Sequence, residues 1–140
     1  MKLLEKCRVL NFKEFGDARG KLVVIENSKD IPFDIKRIFY IYNSDSESIR
    51  GCHANRNSEF VLINVSGRSE IKVDDGKDSL KIVLDEPMKG IYIPKMLWKE
   101  MYNFSKDSVL LCLTNTFYDS SEYIRDYKKY LIEMKHNEQI

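Results

Sequence analysis

An all-β fold, an antiparallel sandwich or barrel with one C-terminal amphipathic helix, is the class this sequence predicts. Three observations carry it. Seven or more short apolar or alternating runs are separated by Gly, Pro and Asp turn signals. There is no βαβ alternation, no GxGxxG and no P-loop pattern, so a doubly wound parallel sheet is not indicated. The apolar period changes from strand-like to helical after Tyr118. No internal repeat or low-complexity linker divides the 140 residues, so a single domain, 1–140, is expected.

Taken in order, Leu22-Val23-Val24-Ile25-Glu26 is a strand entered through the turn Gly16-Asp17-Ala18-Arg19-Gly20. Ile31-Pro32-Phe33 marks a loop. Lys36 to Tyr42 is β-branched and aromatic, the composition that suits a pleated, half-buried surface. Asn43 to Ser48 is a polar loop. Phe60-Val61-Leu62-Ile63-Asn64-Val65 is the strongest strand signal and ends at Ser66-Gly67. Arg68 to Val73 alternates, as a strand with one wet face does. Asp75-Gly76 suits a tight hairpin turn, because Gly tolerates positive φ. Leu80, Ile82 and Leu84 share the face of the returning strand. Gly90 to Pro94 is a short strand stopped by proline. Ser108 to Leu113 is continuously apolar, hence buried. Asp119 followed by Glu122 has the spacing of a capping box. Ile124, Tyr127, Leu131 and Met134 then recur at helical spacing, which predicts a helix over about 119–135.

Composition excludes several classes. Lys+Arg 23 against Asp+Glu 22 gives a net charge of +1, with no excess to track nucleic-acid phosphates. Cys7, Cys52 and Cys112 are odd in number and form no CxxC pair, which argues for reduced thiols in the cytoplasm. No segment has the length of a membrane span, and the N-terminus lacks the apolar run of a signal peptide.

Chemistry concentrates in Arg50-Gly51-Cys52-His53-Ala54-Asn55-Arg56-Asn57-Ser58-Glu59. His53 and Asn55, two apart, share one face of an extended chain. Glu59 has the same parity if the strand runs through without a bulge. An imidazole, a carboxamide and a carboxylate would then converge on one side of a sheet. His53 is the only histidine besides His136, which lies in the charged tail. Trp98 stands beside Lys99. By residue type alone, Arg19 reads as a solvated loop arginine, Arg37 and Arg50 suit either salt bridges or a phosphate, and Tyr40, Trp98 and Tyr102 suit either core packing or stacking on a ring.

The set resembles the cupins. His53-Ala54-Asn55, Glu59 and Gly67 follow the first cupin motif, and Pro94 and Asn103 fit the second, with Lys99 where that motif has histidine. In metal-binding cupins two histidines, the glutamate and the later histidine hold an ion. Only His53 and Glu59 of that quartet are kept, so a metal-free site is expected. More closely, Arg50-Gly51-Cys52-His53-Ala54, Val65-Ser66-Gly67, Val73-Asp74-Asp75-Gly76, Ile91-Tyr92-Ile93-Pro94, Trp98, Asn103-Phe104-Ser105 and Tyr123-Ile124-Arg125-Asp126-Tyr127 resemble the WxcM-like dTDP-sugar 3,4-ketoisomerases. The match runs from about Lys6 to Leu131.

That resemblance implies a cupin jelly roll, a homodimer often with exchanged strands, and no cofactor. It implies conversion of dTDP-4-keto-6-deoxyglucose to a 3-keto sugar, which an aminotransferase consumes in deoxysugar and glycan biosynthesis. Moving a ketone from C4 to C3 requires a base, a proton return and donors for an oxyanion, but no redox partner. His53 is the expected base, with Asn55 and Lys99 beside it. Arg19, Arg37, Tyr40, Arg50, Glu59, Trp98, Tyr102 and Asn103 are expected to bind substrate. Asn55 replaces a second histidine usual in the family, and Lys99 replaces a His or Arg. Lys99 and Arg19 occupy positions tied to the face of C4 that is reprotonated, so a galacto or a gluco product is left open. Two rival readings are a deoxysugar 3,5-epimerase, with Tyr92, Tyr102 or Tyr118 as the acid, and a non-catalytic nucleotide-sugar binding module.

Overall fold

A computed structural model describes residues 2–138. In chain order the strands are β1 (Arg8–Asn11), β2 (Glu14–Asp17), β3 (Gly20–Val23), β4 (Arg37–Tyr42), β5 (Arg50–Asn55), β6 (Phe60–Ser66), β7 (Ser69–Asp74), β8 (Ser79–Leu84), β9 (Lys89–Ile93), β10 (Trp98–Tyr102), β11 (Val109–Thr114) and β12 (Tyr123–Ile124). One helix, α1 (Tyr127–Glu138), ends the described chain. Two antiparallel five-stranded sheets, β1-β9-β6-β11-β4 and β12-β5-β10-β7-β8, face each other as a jelly roll. β2 and β3 form a separate hairpin.

Alternation explains the layering. Phe60 and Leu62 of β6 point between the sheets with Ile71, Val73, Ile91, Ile93, Leu110 and Cys112. Val61 and Ile63 point to the other side of β6, where Phe12, Ile31, Phe33 and Tyr92 cover them. The apolar run from Phe60 is therefore buried on both faces, which is why it does not alternate. A third cluster, Ala54, Trp98, Ile124 and Tyr130, seats α1 on the outside of the second sheet. The Tyr130 hydroxyl reaches Met96 O at 2.8 Å and Asp74 O at 3.0 Å.

Several expectations change. The strand read over residues 22–26 is β3, which begins at Gly20 and ends at Val23, because it pairs with β2, Glu14–Asp17, where a turn was expected. The hairpin between β7 and β8 is a four-residue loop, 75–78, because Asp74 pairs directly with Ser79. In it the Asp75 carboxylate accepts from Lys77 N and Asp78 N, and Gly76 sits at φ +96°. The helix does not begin at Asp119. There the Asp119 side chain caps only a 3-10 turn, Ser120–Glu122. β12 follows, pairing Tyr123 with Asn55 and Ile124 with Ala54, so tertiary pairing overrides the helical period. The helix starts after Asp126, whose carboxylate accepts from Lys129 N at 3.1 Å as an N-cap does. Finally, no strand runs through from His53 to Glu59. β5 ends at Asn55, a bend follows, and β6 belongs to the opposite sheet.

Candidate active site

β5 and β10 build the site. His53 pairs with Lys99 across the two strands, so both side chains lie on the face that looks into the barrel. A bulge follows at once, between Lys99 and Glu100. Gly51 at φ +82° and Cys52 at φ +56° make the matching kink on β5. A Cβ on Gly51 would lie 2.9 Å from Lys99 O, so the approach of these strands needs glycine.

His53 is half-buried. Its Nδ1 lies 3.0 Å from Gly51 O. A carbonyl can only accept, so Nδ1 carries the proton and Nε2 keeps its lone pair. Burial, then the Lys99 charge, pull its pKa down to about 4, against the Gly51 hydrogen bond and Glu122. The ring is thus a neutral base at pH 7, packed edge-on to Tyr123 at 4.8 Å.

Lys99 is 3% exposed. Its Nζ donates to Asn55 Oδ1 at 2.8 Å and lies 4.6 Å from the centre of the Phe60 ring. Burial lowers its pKa to about 7, opposed by Glu122, Cys112 and Cys7. Asn55 is fully buried, and its Nδ2 donates to Glu122 Oε2 at 3.0 Å. Glu122, 4% exposed, also accepts from Asn57 N at 2.9 Å, Ser58 N at 3.0 Å and the Ser58 hydroxyl. Burial pushes the carboxyl pKa up, but the donors from Ser58, Asn57 and Asn55 outweigh it and hold the group below its usual range.

Arg37 shares strand parity with the inward Phe39 and Ile41. Its guanidinium lies 5.5 Å from the rings of both Phe39 and Tyr118. Its Nε and Nη2 are buried without a hydrogen-bond partner, as donors awaiting an anion would be. Tyr118 stacks on Tyr123 at 5.8 Å, so an aromatic wall runs from Arg37 to His53. Arg125 lies 4.5 Å over Tyr123.

The other expected residues lie elsewhere. Arg50 Nε donates to Ser44 Oγ at 3.1 Å at the exposed start of β5. Glu59 has the parity of Val61 and Ile63, on the outer face, and its carboxylate accepts from the Tyr92 hydroxyl and from Asn115 Nδ2. Trp98 faces outward against Tyr127 and Tyr130, and its Nε1 donates to Glu100 Oε2 at 3.0 Å. Tyr40 is 61% exposed on edge strand β4. Tyr102 ends β10, opposite Glu70, and Asn103 Nδ2 donates to Glu70 Oε2. Arg19, its side chain 90% exposed, pairs with Asp17 at the tip of the β2–β3 hairpin. Sequence reasoning missed Glu122, Tyr123 and Arg125 as site residues, and it named Tyr118 only as an acid for the epimerase reading. The resemblance did single out the stretch from Tyr123, but helical periodicity assigned it to α1.

Among the described residues, no group of three or more His, Cys, Asp and Glu side chains could hold a metal ion. An ammonium bonded to a carboxamide stands where the other cupin donors would be, so the donor set does not fit one.

A neutral imidazole and a buried amine thus face each other on the inner wall of a cupin-like jelly roll. The chain belongs to the family described as FdtA, WxcM-like, C-terminal, which matches residues 5–135. It is 42% identical over 130 residues, 91% of this chain and 94% of the relative, to a TDP-4-oxo-6-deoxy-alpha-D-glucose-3,4-oxoisomerase of Aneurinibacillus thermoaerophilus. It is 51% identical to the TDP-fucose-3,4-ketoisomerase WlaRA of Campylobacter jejuni, with TM-score 0.86 over 92% of this chain and 96% of that one. It is 37% identical to QdtA of Thermoanaerobacterium thermosaccharolyticum, a 3,4-ketoisomerase whose His-to-Asn variant was solved with TDP-4-keto-6-deoxyglucose. That likeness has TM-score 0.92 over 95% of this chain and 96% of that one. No helix among the described residues is long and apolar enough to cross a membrane.

Proposed function

We propose that this chain is a 3,4-ketoisomerase acting on TDP-4-keto-6-deoxyglucose. Family membership supports the activity class, and the QdtA complex supports the substrate. The observation that carries the mechanism is the pairing of His53 with Lys99, the imidazole with Nε2 free and the ammonium buried beside it. His53 Nε2 takes the C3 proton. The C3–H electron pair forms a C3=C4 bond, and the C4 carbonyl becomes an oxyanion that Lys99 stabilises. The 3-hydroxyl then gives up its proton as C3 becomes the ketone, the C4 oxygen takes one up to become the hydroxyl, and His53 returns a proton to C4, so the sugar ends with as many protons as it began with. No electron leaves the sugar, so the reaction needs no redox partner. Arg37, with two unpartnered buried N–H groups, binds the diphosphate, and Tyr118 and Tyr123 wall the sugar.

The enzyme works as a homodimer. Phe15, Leu22 and Val24 in and beside the β2–β3 hairpin are exposed, as are Ile38, Tyr40 and Tyr42 on edge strand β4. Exchange of the hairpin between subunits would cover both and carry Arg19 to the partner's site. Three free thiols fit a cytoplasmic enzyme.

NMR of TDP-4-keto-6-deoxyglucose incubated with the protein in heavy water tests the reading. A 3-keto product with deuterium at C4 is expected, and the configuration at C4 identifies the product series. Deuterium at C5 instead would mean a 3,5-epimerase. Of the acids that reading names, Tyr92 is bonded to Glu59 on the outer face and Tyr102 ends β10 opposite Glu70, which leaves Tyr118 to serve it. Tight binding of unchanged substrate would mean a binding module.

A further inference from the structure

We propose that Glu122 is a positioning residue for this reaction: through Asn55 it aims the Lys99 ammonium into the barrel and supplies its counter-charge. The inference rests on the ketoisomerase reading above and extends it to a residue beyond the reach of the substrate.

The chain of contacts has a direction. Lys99 Nζ only donates, and it donates to Asn55 Oδ1 at 2.8 Å. The ionised Glu122 only accepts, and it accepts from Asn55 Nδ2 at 3.0 Å. Turning the carboxamide over would set its NH2 against the ammonium and its oxygen against the carboxylate. The two charges therefore hold the amide in one orientation, and the amide fixes the ammonium. All three groups are buried, so water offers no substitute partner. Asn55 is thus a spacer in a separated ion pair rather than a proton-transfer group. A histidine there, neutral and donating to Glu122, would offer Lys99 no carbonyl-type acceptor at the same place.

Glu122 is in turn immobile. Backbone N–H groups of Asn57 and Ser58, the Ser58 hydroxyl and Asn55 donate to it, and Ser58 Oγ lies 2.5 Å from Thr116 Oγ1. The 3-10 turn that presents it is capped by Asp119, and Arg56 N donates to its backbone oxygen at 3.0 Å. The anchor is therefore set by the bend between β5 and β6, not by a flexible side chain.

The titratable groups that face Lys99 are Glu122 from the 3-10 turn, Cys112 from β11, Cys7 from the segment before β1, and His53 from β5. Burial pushes both thiols up to about 12, so they stay uncharged at neutral pH. His53 is neutral there too. Glu122 is the one formal negative charge in the set, and its loss lowers the pH at which Lys99 gives up its proton.

The test uses two variants, Glu122→Gln and Asn55→Leu, and two readouts. One is the pH profile of kcat/KM. The other is titration of the Lys99 side chain by NMR on protein with labelled lysine, assigned with Lys99→Met. In both variants the Lys99 titration is expected to move down by on the order of one pH unit. The alkaline limb of kcat/KM should move with it, kcat should fall more than KM rises, and Glu122→Asp should restore part of the loss. A Lys99 titration unchanged in either variant, or one that moves while the kinetic limb stays, would overturn the proposal. If one variant does not fold, the other, in which the remaining partner is kept, gives the same decision. A parent protein without turnover overturns the ketoisomerase reading instead, and the titration still decides whether Glu122 controls Lys99.

Discussion

Lys99, buried, and His53, half-buried, are bases whose surroundings disfavour their charged forms, and both shifts have consequences for pH. His53, with pKa about 4, lies below its usual value of 6.5, so the acid limb of kcat/KM is expected near pH 4. His53→Asn should lower kcat by roughly 10²–10⁴-fold with TDP affinity nearly unchanged, measured by turnover and calorimetry. Full activity in that variant would remove His53 from the mechanism. For Lys99 the folded pKa of about 7 lies below the usual lysine value of 10.5. Below pH 7 both states hold the proton and the fold bears a buried cation. Between about 7 and 10 the unfolded chain keeps the proton while the folded chain releases it, so this group's contribution to stability rises with pH. Other groups titrate in the same window, so the comparison is with Lys99→Met. The stability of that variant minus that of the parent should fall steadily from pH 7 to 10 in urea melts. A flat difference would mean that Lys99 is not the buried cation described. Arg37→Ala should weaken TDP binding by about 1–3 kcal/mol, because its two orphan donors then have nothing to offer the ligand. Unaltered affinity would make Arg37 structural.

At the level of elements, β4, β6, β7, β8, β9 and β11 were legible, whereas β1, β2, β10 and the segment from Asp119 to Asp126 were not. β6, β7 and β11 follow from apolar runs or alternation, because one or both of their faces meet a core. Glu122 illustrates the failure. Its spacing from Asp119 satisfies a capping box, yet the carboxylate satisfies donors at Asn55, Asn57 and Ser58, more than sixty residues earlier in the chain. No local pattern encodes a partner so distant. Ile124 has the right phase for the helix stripe, and pairing with Ala54 makes it a strand residue instead. Glu59 misled for the opposite reason: parity carries over only along one unbroken strand, and a bend intervenes. His53, Asn55 and Lys99 were legible because i, i+2 spacing survives within β5 and because the resemblance pointed to Lys99. Helix α1 depends on its seat more than on its own sequence. Its anchor is Tyr130, fully buried, with the hydroxyl shared by Met96 O and Asp74 O. Tyr130→Phe keeps the ring and orphans these carbonyls, so it should cost about 1–3 kcal/mol in urea unfolding. A neutral substitution would mean that water replaces the hydroxyl there.

In the whole molecule a single chain leaves two features without a covering surface. The β2–β3 hairpin pairs only with itself, Arg19 at its tip meets only Asp17, and the aromatic face of β4 is open. An isolated two-stranded hairpin is marginal in water, so it requires a third strand or a covering surface. The proposed dimer supplies one by exchange, and each site then draws His53 from one chain and Arg19 from the other. Mixing tests this directly. His53→Asn and Arg19→Ala homodimers should each be impaired, since every site in them lacks one group. When the two are unfolded together and refolded in equal amounts, half the dimers are mixed. In a mixed dimer with exchanged hairpins, one of the two sites holds both an intact His53 and the partner chain's intact Arg19. Activity should therefore recover to about a quarter of the parent's, with a monomer–monomer mass of two chains by light scattering. If the hairpin folds back on its own chain, every site in the mixed dimer keeps one defect and the mixture is no more active than the average of its components. That outcome would sink the exchange and leave the fold of each subunit untouched.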